Sequence, residues 1–158
     1  MIMYMETELC YMCMITDPNA RVLVQDRLPM ASNSWSGLTF PGGYVKPGKT
    51  VVESVIREVP EETGLTITDL KNCGYIQWYN PERQSNYLVF LFKISSFSGE
   101  LKPSREGSLS WMTLPDMRSG HLAPNMGKYL AVFQNDVIPQ AFGISGNGLK
   151  LENDCGLM

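Results

Sequence analysis

Apolar, branched and aromatic residues crowd the run from Glu8 to Ile15 and again from Arg21 to Asp26, and both runs predict β-strands. Between them, Thr16-Asp17-Pro18-Asn19-Ala20 has the turn formers of a hairpin. A polar loop from Met30 to Thr39 ends in Phe40-Pro41-Gly42-Gly43, where paired glycines allow positive φ and a close approach of backbone to ligand. Lys46-Pro47-Gly48 reads as a second turn.

The period then changes. Val51, Val55 and Val59 recur every four residues, with Val52 and Ile56 on the flank, which predicts a helix over Thr50 to Thr63 with one face on the core. Thr50 with Glu53 fits a capping box, and Gly64 suits a left-handed C-terminal cap. Strand character returns in Gly74 to Trp78, Asn86 to Ile94 and Ser108 to Thr113, separated by Asn-Pro, Ser-Gly and Glu-Gly turns. Met126, Tyr129, Leu130 and Phe133 have the spacing of a buried helical stripe. The Gly- and Asn-rich segment from 137 to 158 is left without an assignment.

Composition narrows the class. A chain of 158 residues with 44% hydrophobic content is sized for one domain with its own core. Its net charge of −3, with 18% of residues charged, supplies no basic field for a nucleic-acid polymer, while a free nucleotide with a metal stays compatible. The longest strongly apolar stretch, Tyr87 to Phe92, is far short of the ~20 residues of a membrane helix. Glu6 and Glu8 interrupt any signal-type run, so a cytoplasmic protein that does not engage membrane is expected. Cys10 and Cys13 form a CxxC, but on a strand residues three apart face opposite sides, and the single His121 completes no zinc set. All four cysteines read as reduced core or surface thiols.

Arg57, Glu58, Glu61 and Glu62 crowd the last turns of the first predicted helix, and its three carboxylates fall on roughly one side. Like charges at these spacings repel. The cluster is either a solvated acidic face or a set of oxygen ligands for Mg²⁺ completed by water and substrate phosphates.

The string from Gly43 to Leu65, GYVKPGKTVVESVIREVPEETGL, resembles the Nudix box, Gly-x5-Glu-x7-Arg-Glu-U-x-Glu-Glu-x-Gly-U with U apolar. Gly43, Arg57, Glu58, Val59, Glu61, Glu62, Gly64 and Leu65 match in register, eight of nine fixed positions, which selects the metal-ligand reading of the cluster. Phe-Pro-Gly-Gly and Trp35 upstream are features that MutT-type members often show, and residues 5 to 135 follow the family's order of elements.

The resemblance implies an α/β fold, the Nudix α/β/α sandwich with a mixed sheet between helices, with a Nudix domain over 1–136 and a tail over 137–158. It implies Mg²⁺-dependent hydrolysis, with Mn²⁺ as a substitute, of a nucleoside triphosphate like 8-oxo-dGTP to a nucleoside monophosphate and pyrophosphate. Glu58, Glu61, Glu62 and the Gly42 carbonyl would hold the metal, and Arg57 would orient the carboxylates. Glu106, in a Glu-Gly loop, would bind a further metal or accept the water's proton; otherwise it is a turn residue. Arg27 and Phe40 lie where similar enzymes line the nucleotide pocket, Trp78 and Tyr79 are aromatics able to stack on a base, and Asn125 would read the oxidised base edge or else cap the last helix. The implied partner is a small nucleotide, with a homodimer an open option.

Two positions depart from easy expectation. The box Glu is replaced by Lys49, which would deprive Arg57 of an attraction, so that Lys49→Glu should raise kcat; alternatively Lys49 reaches substrate phosphate. Pro60 inside the helix removes a backbone bond, costs ~3 kcal/mol and is expected to kink the helix. These two departures favour a weakly catalytic nucleotide sensor, while a Nudix hydrolase of another substrate, such as a nucleotide sugar or dinucleoside polyphosphate, is a separate alternative.

Overall fold

A computed structural model describes residues 3–31, 34–134, 140–144 and 148–152. Its elements are β1 (Thr7–Ile15), β2 (Val22–Arg27), β3 (Gly37–Thr39), β4 (Gly42–Tyr44), α1 (Val51–Thr63), β5 (Leu65–Asn80), β6 (Ser85–Gly99), β7 (Gly107–Met112), α2 (Leu114–Ser119), α3 (Met126–Gln134), β8 (Gln140–Ile144) and β9 (Gly148–Glu152). Six strands form one sheet in the order β4-β1-β6-β5-β8-β9, and three form another in the order β3-β2-β7. The larger sheet is mixed: β1 runs parallel to β6 and β5 parallel to β8, while the β1–β4, β5–β6 and β8–β9 pairs are antiparallel. With the helices packed on it, this is the expected α/β architecture.

Strand alternation divides the core into two clusters. Tyr11, Cys13 and Ile15 of β1 join Val55 and Val59 of α1, with Leu23, Leu65, Ile67, Phe92 and Ile94. Met14, on the alternate side of β1, joins Phe40, Ile76, Trp78, Leu91 and the α3 stripe of Met126, Tyr129, Leu130 and Phe133. The period-2 rule thus sends Cys10 and Cys13 to opposite clusters, and neither they nor Cys73 form a disulfide among the described residues. Burial and the nearby Glu8 push the Cys10 thiol up to about 12, which keeps it protonated and unreactive. Cys155 lies outside the described residues.

The expected β1–β2 hairpin does not form. Asp17 accepts from the backbone N–H groups of Asn19 and Arg21 and pairs with the Arg21 guanidinium at 2.8 Å, so the turn itself is built. After a single bridge between Thr16 and Val22 the strands separate into different sheets, because β2 pairs with β3 and β7 instead. The β5–β6 pair, by contrast, is a long hairpin. Its first half is polar and interrupted by register shifts between Ile67 and Gly74, which hid it from an apolar-pattern reading. β3, β4 and α2 are too short for periodicity to register, at three, three and six residues. Beyond α3, residues 140–144 and 148–152 extend the larger sheet beside β5. None of the helices among the described residues is long and apolar enough to cross a membrane.

Candidate active site

The site is built outward from α1, whose start is marked by a reciprocal cap. Thr50 Oγ1 accepts from the Glu53 N–H at 3.0 Å, and Glu53 Oε2 accepts from the Thr50 N–H at 2.9 Å. At the other end Gly64 adopts φ +86°, and a Cβ there would lie 2.2 Å from the Glu100 carbonyl oxygen, so the turn from α1 into β5 requires glycine. α1 continues through Pro60 to Thr63 as one helix, rather than breaking at the proline. Pro60 has no N–H for the Ile56 carbonyl, but Ile56 is on the exposed side, where water can serve that oxygen. Val55 and Val59 stay fully buried, so the core face is intact.

Glu58 is buried and its Oε2 accepts a 2.9 Å hydrogen bond from the Tyr11 hydroxyl. Burial, with the charges of Glu62 and Glu58, pushes the Tyr11 phenol up, so it remains a donor. Gly43 pairs with Tyr11 across β1 and β4, and a Cβ on Gly43 would sit 2.8 Å from the Tyr11 hydroxyl and 3.1 Å from Glu58 Oε2. A Cβ on Gly42 would meet the Tyr11 carbonyl oxygen at 2.5 Å. The paired glycines therefore serve close approach, and neither needs the positive φ expected of it. Tyr11, forty-seven positions before Glu58, was missed in the sequence because it reads as one more apolar strand residue.

Glu62 is half-buried, and its carboxyl is raised to about 7 by burial and by the negative charges of Glu106, Glu58 and Glu61. Glu106 is thereby brought to the helix carboxylates from a loop more than forty residues away. Register explains how: Arg27 pairs with Gly107 across β2 and β7, the Leu28 N–H donates to the Glu106 carbonyl at 3.3 Å, and Arg27 Nη1 lies 3.5 Å from Glu106 Oε2. The Arg27 guanidinium also stands 4.6 Å from the centroid of the Trp35 ring, and its Nε is buried without a hydrogen-bond partner. Arg57 and Glu61 are exposed, and Arg57 makes no ion pair among the described residues.

The donor set fits a hard cation. Four carboxylates repel one another, and Glu61 and Glu62 occupy the last turn of α1, where the helix dipole further disfavours negative charge. A divalent cation removes both penalties, and all-oxygen ligands suit Mg²⁺ or Mn²⁺. As the side chains stand, no group of three His, Cys, Asp or Glu among the described residues is set to hold a metal ion. The fit is therefore one of charge and donor chemistry rather than a closed cage, in keeping with Mg²⁺ sites that draw much of their shell from water and phosphates.

Beyond Arg27 and Trp35 opens a cavity of about 670 Å³, whose walls include Trp35, Trp78, Tyr87, Asn125 and Tyr129. Asn125 has φ +63°, and its backbone carbonyl, not its side chain, accepts from the Lys128 and Tyr129 N–H groups. An N-cap has extended backbone and a side-chain oxygen on the N–H of the second or third helical residue, Gly127 or Lys128 here. Asn125 is left-handed and its side chain makes no such bond, so it is not a side-chain cap and its amide lies on the cavity wall. Trp78 stacks on Tyr87 with centroids 5.8 Å apart and donates from Nε1 to the Tyr129 hydroxyl at 2.8 Å. One face of its ring is thus taken by protein. Tyr79 does not line the cavity, being the next residue on the same strand. Phe40, expected at the pocket, is a correction: it is 1% exposed and meets Phe133 edge-on at 5.3 Å, because it packs into the core under α3.

The NUDIX domain family model matches residues 7–133. The Nudix hydrolase YvcI of Bacillus subtilis is 33% identical over 94 residues, 57% of this chain and 60% of its own length, so the chain spans less than two thirds of that relative. The oxidized purine nucleoside triphosphate hydrolase of Danio rerio is 25% identical over 108 residues, 68% of this chain and 67% of that protein. Among solved structures, MutT of Bacillus halodurans matches with a TM-score of 0.71 at 22% identity, covering 94% of this chain and 98% of that one, a likeness of fold. With the box residues in register on α1, the fold shared, and the family model spanning β1 to α3, the chain belongs to the Nudix hydrolase family.

Proposed function

We propose that this protein hydrolyses a nucleoside triphosphate with an oxidised purine base, of the 8-oxo-dGTP kind, to a nucleoside monophosphate and pyrophosphate, using Mg²⁺ or Mn²⁺. The observation that carries the choice of base is Asn125: a strained, non-glycine αL residue with an uncommitted amide on the wall of a cavity of nucleoside size. An amide offers donor and acceptor together, which an oxidised purine edge requires. The similarity to a relative named for oxidised purine nucleoside triphosphates supports the same choice.

Glu58, Glu61, Glu62 and the Gly42 carbonyl would hold the cation, which when bound neutralises phosphate charge and lowers the pKa of attacking water. Tyr11 fixes one oxygen of Glu58 and leaves the other for the site. Glu106 accepts the water's proton, and Arg27 positions it while its aromatic contact with Trp35 ties the acid cluster to the base cavity.

A second reading keeps the chemistry and changes the substrate. The larger cavity also carries exposed Glu8 and Arg83 with Ser85 and Asn86, polar groups suited to the second half of a nucleotide sugar or dinucleoside polyphosphate. A phosphate-release screen with Mg²⁺ tests both. Preference for 8-oxo-dGTP over dGTP supports the first reading, selective cleavage of nucleotide sugars or dinucleoside polyphosphates supports the second, and binding without turnover identifies a sensor.

A further inference from the structure

A smaller cavity of about 240 Å³ lies against α1, lined by Lys46, Lys49, Glu53, Ser54, Arg57 and Glu58. It falls below the roughly 300–1,000 Å³ of sites that enclose whole drug-sized ligands, yet has the volume of about eight water molecules at ~30 Å³ each. That room excludes a nucleoside and admits phosphate groups.

Its lining carries three cations, Lys46, Lys49 and Arg57, against two carboxylates, Glu53 and Glu58. The two carboxylates keep their charge but are held in place: Glu53 Oε2 accepts from the Thr50 N–H, and Glu58 Oε2 accepts from the Tyr11 hydroxyl. Ser54 Oγ donates to the Thr50 carbonyl at 3.0 Å. Lys46, Lys49 and Arg57 have no ion pair among the described residues. The two lysines are brought together by a turn, closed by the Lys49 N–H to the Lys46 carbonyl at 3.1 Å, with Pro47 and Gly48 at its centre and Gly48 at φ +78°. Such a turn holds its first and last Cα atoms within about 7 Å. Lys49 also precedes the N-cap of α1, where the dipole opposes a cation. Three cations outnumber the two carboxylates around one small cavity, none of the three is ion-paired among the described residues, and one sits at the positive end of a helix, so an added anion is favoured there.

We propose that Lys46, Lys49 and Arg57 form a phosphoryl-anion subsite that holds the distal phosphate groups of the substrate beside Glu58. The proposal rests on the nucleotide-hydrolase reading for its ligand, and it gives Lys49 a role in place of the lost box carboxylate. Contacts to the terminal phosphate, which is not part of the Pα–O–Pβ bridge that breaks, act nearly alike in ground and transition states, so they set KM more than kcat. On this assignment Lys49→Glu raises KM, whereas the loss of an Arg57 partner would appear in kcat.

The experiment has two arms, both on the full chain. In the first, inorganic tripolyphosphate is titrated calorimetrically in excess chelator, where neither metal nor hydrolysis enters. The expected result is binding that weakens with salt, falls about 10-fold in the exposed-site double variant Lys46→Gln/Lys49→Gln, and survives in Lys49→Arg. Circular dichroism of each variant confirms the fold. Absence of binding by the wild-type chain, or equal binding by the double variant, overturns the subsite. In the second arm, Mg²⁺-dependent turnover of nucleoside triphosphates is followed, and the double variant should raise KM about 10-fold at unchanged kcat. Unchanged KM with tripolyphosphate binding lost would transfer the subsite to a free inorganic anion and overturn its assignment to substrate. A chain that binds tripolyphosphate through both lysines but hydrolyses no nucleotide defeats the hydrolase reading and the substrate assignment, and leaves an anion site; a working hydrolase indifferent to both lysines does the reverse.

Discussion

α1 carries Arg57, Glu58, Glu61 and Glu62 within six consecutive positions, whereas the large cavity draws its walls from β1, β3, β4, β5, β6, the loop before β3 and the start of α3. The first region is electrostatic and local: its residues act because they repel one another on one helix. The second is steric and distributed, and no two neighbouring elements suffice to make it. The difference teaches that the reaction and the choice of substrate are separately mutable. Changes on α1 should alter turnover for every substrate, and changes around the cavity should alter which substrate is preferred.

The largest break in that separation is expected from the carboxylates. Glu61→Gln should lower kcat at least ~100-fold for every nucleotide tested, without loss of helical circular dichroism, since the side chain is exposed. Excess chelator should do the same to the wild-type chain, and retained activity there would remove the metal from the mechanism. Next comes the local frame of α1: Gly64→Ala places a methyl 2.2 Å from the Glu100 oxygen at φ +86°, and should cost about 2 kcal/mol in urea unfolding. Gly48, at φ +78° with open space around it, is the control, and its alanine variant should lose less.

On the cavity side, Asn125→Ala should reduce the preference for 8-oxo-dGTP over dGTP about 10-fold in kcat/KM and spare dGTP turnover. An equal loss for both substrates would make Asn125 structural and dissolve the contrast between the regions. The smallest effect sharpens the contrast from the other end. Thr50→Ala removes the cap of α1 and should lower stability by ~1 kcal/mol, measured by thermal unfolding, with no change in substrate preference.

Legibility followed the same division. The capping box at Thr50 and Glu53, the αL cap at Gly64 and the valine stripe are contacts among residues at most four positions apart, and local spacing announces them. Tyr11 and Phe40 behaved oppositely under the same reasoning. Both are bulky aromatics in apolar runs, yet one donates to Glu58 and the other packs on Phe133. Side-chain type carries no record of which face of a sheet its partner occupies. Asn125 was equally balanced between cap and reader until its φ of +63° removed the cap.

By itself the sequence determined the catalytic helix, its ends, its acidic face and the family, because each rests on residue types at fixed short separations. Tertiary structure alone decided that β1 and β2 part into different sheets, that Glu106 joins the helix carboxylates through the β2–β7 register, and that the last strands extend the sheet beside β5. It also decided that Lys46, Lys49 and Arg57 share one cavity with Glu53 and Glu58, whose carboxylates are held by the Thr50 N–H and the Tyr11 hydroxyl. The reason is common to all of these. Strand partners and side-chain partners are chosen by competition among surfaces distant in the chain, and the winner depends on packing and register that no local pattern encodes.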